Sequence, residues 1–152
     1  MSRSRKHQKD PDLALATKEV KDVYAALANR PRDSSCTLRT ECCHFKLTGK
    51  TPFLTQGEAL VAARALRQAG RKELPERTDG ACRLLNPRTS RCIIYEGRPF
   101  GCRSHFCQAA GGPFPRSEVA DLIRRLEVVD EQLYGTGPRE LHAAVADALK
   151  TL

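Results

Sequence analysis

Apolar residues recur at helical spacing in four stretches of the chain. Ala16, Val20, Val23, Tyr24 and Leu27 come first, three to four residues apart, as one face of a helix with 3.6 residues per turn requires. Asp10 as N-cap with Pro11 at the first helical position predicts its start, and Asn29-Arg30-Pro31 its end. Ala59, Ala62, Ala63 and Leu66 form a second stripe, preceded by Thr55-Gln56-Gly57-Glu58. That tetrapeptide fits a capping box, in which hydroxyl and carboxylate satisfy the open N–H groups of a helix start. With Gly70 as the stop, it predicts a helix over 56–69. Val119, Leu122, Ile123, Leu126 and Leu133 make a third stripe, and Leu141, Val145, Ala148, Leu149 and Leu152 a fourth that starts near Gly137-Pro138.

Between the second and third stripes the pattern is different. Cys82-Arg83-Leu84-Leu85 and Arg91-Cys92-Ile93-Ile94-Tyr95 flank the turn-rich Asn86-Pro87-Arg88-Thr89-Ser90, which predicts a β-hairpin. With Leu85 opposite Arg91, Cys82 and Cys92 would share a face at a diagonal of about 7–8 Å. Pro99 then opens a short helix carrying Cys102, His105 and Cys107. The first ten residues carry Arg3, Arg5, Lys6, His7 and Lys9 with no apolar pattern, the composition of a disordered tail. The fold class is therefore α+β: a small, mostly helical single domain over 11–152 with a short β-hairpin and a cysteine-rich centre. Its C-terminal helices span 117–152.

Seven cysteines change what this fold is for: Cys36, Cys42, Cys43, Cys82, Cys92, Cys102 and Cys107. They sit among polar residues, as in Arg39-Thr40-Glu41-Cys42-Cys43-His44, unlike thiols that serve as small core hydrophobes. No charged start followed by 7–15 apolar residues marks an export signal, and no run approaches the ~20 apolar residues of a membrane span. The expected location is the cytoplasm. Thiols stay reduced there, so a cysteine cluster points to a metal or to redox chemistry rather than to a disulfide framework. The odd count agrees, since seven thiols cannot all pair within one chain.

Charge adds a second consideration. The formal net charge is +8 over 152 residues, which invites a nucleic-acid reading. The basic residues are scattered from Arg3 to Lys150, and the eight Phe and Tyr residues are too dispersed for a base-stacking platform. Nucleic acid is not the favoured partner. Arg39, Arg83, Arg91, Arg98 and Arg103 each lie within a few residues of a cysteine. Metal-bound thiolates carry negative charge that favours such neighbours.

The successive cysteine spacings of six, one, thirty-nine, ten, ten and five contain no C-x-x-C pair, so neither a zinc knuckle nor the bacterial ferredoxin pattern is present. The arrangement Cys36-x5-Cys42-Cys43, then Cys82-Arg83-Leu84-Leu85, then Cys92-Ile93-Ile94-Tyr95-Glu96-Gly97-Arg98-Pro99-Phe100-Gly101-Cys102-Arg103 resembles the YkgJ-type cysteine-cluster family of zinc- or iron-chelating domains. The resemblance covers roughly residues 36–107, and Tyr-x-x-Arg-Pro-x-x-Cys-Arg is its most specific part. Where the family's C-x-x-C-x-x-C-C block has its second cysteine, this chain has Arg39. Cys107, His44 or His105 would substitute for the missing ligand, or the site would keep an open coordination position.

The resemblance implies metal chelation by Cys36, Cys42, Cys43, Cys82, Cys92 and Cys102, with Cys107 in reserve. Tyr95, Arg98 and Arg103 would hold the cluster loop by packing and by hydrogen bonds to sulfurs or carbonyls. The cofactor is zinc or iron, with an iron–sulfur cluster slightly favoured for want of zinc knuckles. The competing reading is a metal-stabilised module that binds nucleic acid or an acidic protein. Whether the chain is an enzyme stays open: Asp79 and Glu96 are acid–base candidates only by their nearness to cysteines.

Overall fold

The computed structural model describes residues 12–30, 52–104 and 115–152. In chain order these residues form α1 (Leu13–Ala28), β1 (Phe53–Leu54), α2 (Gln56–Gln68), α3 (Phe100–Ser104), α4 (Arg116–Gln132), β2 (Arg139–Glu140) and α5 (Leu141–Lys150). Among them the protein is mostly helical, with β1 and β2 paired antiparallel, Phe53 opposite Glu140 and Leu54 opposite Arg139. The fold class is as the sequence predicts. The basic segment 1–10 lies outside the described residues. No helix among them is long and apolar enough to cross a membrane.

Helix α1 starts two residues later than expected. Asp12 is its N-cap, accepting a hydrogen bond from Leu15 N at 3.1 Å. Carboxylates stand on both sides of Pro11, and the periodicity cannot choose between them; the reach to an open N–H does. The apolar stripe is as predicted, with Ala16, Val20, Val23, Tyr24 and Leu27 all buried, and Asn29 ends the helix.

Helix α2 is the centre of the molecule. It is buried on nearly every side, packing against α5, α1 and α4. Ala59, Ala62 and Ala63 face one core cluster with Leu141, Ala144, Val145 and Ala148 of α5, and small residues on both helices let them approach closely. Val61 faces a second cluster built from α1, α4 and Phe100. Where α1 and α4 meet the start of α2, a Cβ on Gly57 would lie 2.7 Å from Val129 Cγ1 and 2.8 Å from Val20 Cγ2. The helix ends as expected at Gly70, whose φ is +80°. Gly70 N donates to Arg67 O and Arg71 N to Leu66 O, both at 3.0 Å, the double closure of a Schellman turn.

The end of α4 closes in the same way, with Tyr134 N donating to Glu131 O and Gly135 N to Asp130 O. Here the left-handed position is held by Tyr134, at φ 58°. Asp130, in that last turn, is buried and joins distant parts of the chain. Its Oδ1 accepts from Gln56 N at 2.7 Å and its Oδ2 from Gly137 N at 3.0 Å. A carboxylate at the first N–H of α2 satisfies an open donor and complements the helix dipole. Helix α5 starts three residues beyond Pro138, because Glu140 supplies the cap through Ala143 N at 3.0 Å. Leu152, expected in its stripe, is exposed.

Candidate metal centre

Three of the seven cysteines fall within the described residues, and each stands on a different support. The chain reaches Cys82 through a stapled loop. Arg77 donates to both oxygens of Asp79, from Nε at 2.9 Å and from Nη2 at 2.5 Å, and to Leu85 O at 2.8 Å. Asp79 also accepts from Ala81 N at 3.1 Å, and the Arg77 pairing holds its carboxyl far below the usual carboxylate range. Asp79 thus shapes the approach to Cys82. Arg83 reaches back with its guanidinium to Pro75 O at 2.8 Å and Leu74 O at 3.1 Å.

Cys82 itself is buried in the first core cluster. Its carbonyl accepts from Leu85 N at 3.0 Å, so it opens a turn rather than extending a strand. The hairpin forms, but around a single antiparallel bridge, Leu85 opposite Cys92, not Leu85 opposite Arg91. Asn86 sets this register. Its N–H donates to Arg91 O at 2.8 Å, and its side-chain oxygen accepts from Arg88 N at 2.9 Å and Thr89 N at 3.4 Å. The connection between the paired residues thereby runs from Asn86 to Arg91, one residue longer than expected, with Ser90 at φ 55°. Cys92 thus pairs with Leu85 and packs against the first cluster, of which Cys82 is itself a member.

Cys102 stands on α3, behind a loop that stitches itself together. Tyr95–Gly97 makes a 3-10 turn. Gly97 is pressed so closely on α2 that a Cβ there would lie 2.7 Å from Ala65 Cβ. Arg98 Nε donates to Tyr95 O at 2.9 Å while its guanidinium stacks 3.8 Å from the Tyr95 ring centre. Pro99 is fully buried, and its carbonyl accepts from Cys102 N at 3.1 Å and Arg103 N at 3.2 Å. Arg103 Nε donates to Arg98 O at 2.6 Å, its Nη2 donates to Glu96 O, and its guanidinium lies 4.1 Å from the Tyr24 ring centre. The Tyr-x-x-Arg-Pro-x-x-Cys-Arg motif is therefore one structural unit, whose arginines bond to carbonyls.

Beneath this loop lie Glu58 and Tyr24. Glu58 completes the capping box with Oε2, which accepts from Thr55 N and Thr55 Oγ1, each at 2.8 Å. Its other oxygen, Oε1, accepts from Phe100 N at 2.8 Å. Burial pushes the Glu58 carboxyl upward, and the Thr55 and Phe100 N–H donors pull against that shift. Burial and the neighbouring Glu58 charge hold the Tyr24 phenol well above its ordinary value. The Tyr24 hydroxyl is itself buried, beside the Glu58 carboxylate. Burial lowers the Arg103 pKa, and the Arg98 charge acts in the same direction.

His142 on α5 was not singled out by any sequence pattern. Its Nε2 accepts from Arg83 N at 3.2 Å while Nδ1 lies 3.3 Å from Glu140 Oε1. This pairing assigns a neutral ring with its proton on Nδ1. The first bond fixes the backbone beside Cys82 from 59 residues away, and a backbone partner so distant leaves no local trace.

Thiols are soft donors that suit both zinc and iron, and Arg103 lies within electrostatic reach of Cys102. The donor chemistry therefore fits a chelated metal. No group of three His, Cys, Asp or Glu side chains among the described residues is close enough to hold an ion by itself. Cys36, Cys42, Cys43, Cys107, His44, His105 and Arg39 lie outside those residues. Neither the curated proteins nor the solved structures contain a significant match to this chain. A family model does: residues 32–125 match CxxCxxCC, described as "Putative zinc- or iron-chelating domain", and the chain belongs to that family.

Proposed function

We propose that the protein chelates zinc or iron through Cys82, Cys92 and Cys102 together with thiols of the 36–43 block. Cys107, His44 or His105 stands in for the cysteine that Arg39 displaces. The observation that carries this reading is the loop 95–103, in which two arginines are tied to main-chain carbonyls and hold positive charge beside Cys102. A thiolate there gains from that charge, and rigid support of a ligand raises metal affinity. Bound at such a site, zinc supplies a redox-inert crosslink, whereas an iron–sulfur cluster supplies one-electron chemistry. We favour the cluster, because the cysteine spacing contains no zinc knuckle. In the competing nucleic-acid module, Arg71, Lys72, Arg88 and Arg91 would supply exposed charge, whereas Arg30, Arg77, Arg124, Arg125 and Arg139 are each paired with a carboxylate.

Metal analysis and an absorption spectrum of anaerobically purified protein test the reading. Iron with acid-labile sulfide and a broad band in the blue is expected, and stoichiometric zinc with a featureless visible region would replace the cluster by a zinc site. Cys92→Ser and Cys102→Ser are expected to lower metal content and melting temperature together. Full occupancy in both variants would refute the ligand set.

A further inference from the structure

A capping box uses its acidic residue to return one hydrogen bond to the start of its own helix. Glu58 does this with Oε2 alone, through Thr55. Its second oxygen bonds the first N–H of α3, 42 residues further along the chain. The carboxylate is buried, at 3% exposure, and burying a charged group is costly unless its hydrogen bonds repay it. That bond to Phe100 N lies two residues before Cys102. One residue after Cys102, Arg103 stacks on Tyr24 of α1. Close packing of Gly97 on Ala65 brings the same loop down onto α2. The turn that carries Cys102 is thus gripped on both sides by the helical core.

We propose that Glu58 is the positioning residue for Cys102, its buried carboxylate fixing the start of α3 to the start of α2 so that the helical core sets where the thiol is presented. The proposal rests on the metal-chelating reading for its consequence, although the placement of Cys102 is measurable without metal. Glu58→Gln keeps the size of the side chain but leaves one oxygen for donors that now occupy two. Thr55→Val weakens the same helix cap without touching the bond to Phe100.

The two variants are compared as full-length protein in two experiments. In metal-free protein, alkylation of each cysteine by iodoacetamide is followed by peptide mass spectrometry. Glu58→Gln is expected to change the Cys102 rate several-fold relative to Cys82 and Cys92, and Thr55→Val to leave that ratio unchanged. In the second experiment zinc alone is titrated against a chromophoric chelator, and cobalt is added in its place to read ligand geometry from the visible spectrum. Glu58→Gln should weaken zinc binding about tenfold, the lower end of the effect of groups that orient metal ligands, and shift the cobalt bands. Equal behaviour of the two variants in both experiments would reduce Glu58 to a helix cap. If the unaltered protein binds neither metal, the chelating reading fails, and the alkylation ratio still decides the role of Glu58.

Discussion

His142 works through one ring nitrogen that must stay unprotonated to accept the Arg83 N–H. Burial lowers its pKa below the ordinary 6.5, the Arg83 charge adds to that, and Glu140 opposes it. Between the lowered folded value and 6.5 the unfolded chain binds more protons than the folded one, so stability rises with pH there. It is lost as pH falls from 6.5 through the folded value. The protein is therefore expected to have a lower urea midpoint at pH 5 than at pH 7. His142→Gln, whose amide oxygen can take the place of Nε2, should flatten that difference. Glu58, raised from 4.5, contributes with the opposite sign but equally in both proteins. Parallel pH profiles would show that His142 is not the titrating group. Individual residues were the least legible scale. Glu58 was readable as a cap because its partner is three residues away, while its bond to Phe100 and the bond from Arg83 to His142 depend on chain segments meeting in three dimensions.

Elements were more legible, since a stripe of apolar residues states both the helix and its buried face. The stripes of α1, α2 and α4 are buried largely as the pattern requires. What failed were boundaries and register, which single polar contacts decide: Asp12 for α1, Glu140 for α5, and Asn86 for the hairpin. The end of α4 carries a prediction of its own. Tyr134 occupies a left-handed position, at φ 58°, that costs a bulky residue on the order of 1–3 kcal/mol. Replacing it with glycine also makes the unfolded chain more flexible, which offsets part of the gain. Tyr134→Gly is expected to stabilise the protein by about 1 kcal/mol, seen as a melting temperature higher by about 2–4 °C. A lower melting temperature would mean that the Tyr134 ring contributes more than its backbone costs.

For the molecule as a whole, metal and fold are linked by mass action. A ligand that binds only the folded form at a hundredfold excess over its Kd adds about 2.7 kcal/mol. For a chain of this length that raises the melting temperature by about 5–10 °C. Stripping the protein with a chelator should lower it by that amount, and readdition of the native metal should restore it. A melting temperature indifferent to chelator would place the metal on a segment uncoupled from the helical core. The helical class and the zinc- or iron-chelating type of domain were both legible at this scale, because periodicity and cysteine motif are properties of long stretches.

Asp130 draws a boundary that family matching does not. The matched region ends at residue 125, yet the first N–H of α2 is satisfied by a carboxylate five residues beyond it, and the backbone next to Cys82 by a ring at 142. The cysteine-bearing stretch is not a portable cassette. Cut at the limits of its own motif, it would leave the first N–H of the central helix without its carboxylate and the Cys82 turn without its anchor. Whatever this segment binds, it depends on a C-terminal tail that contributes no cysteine of its own.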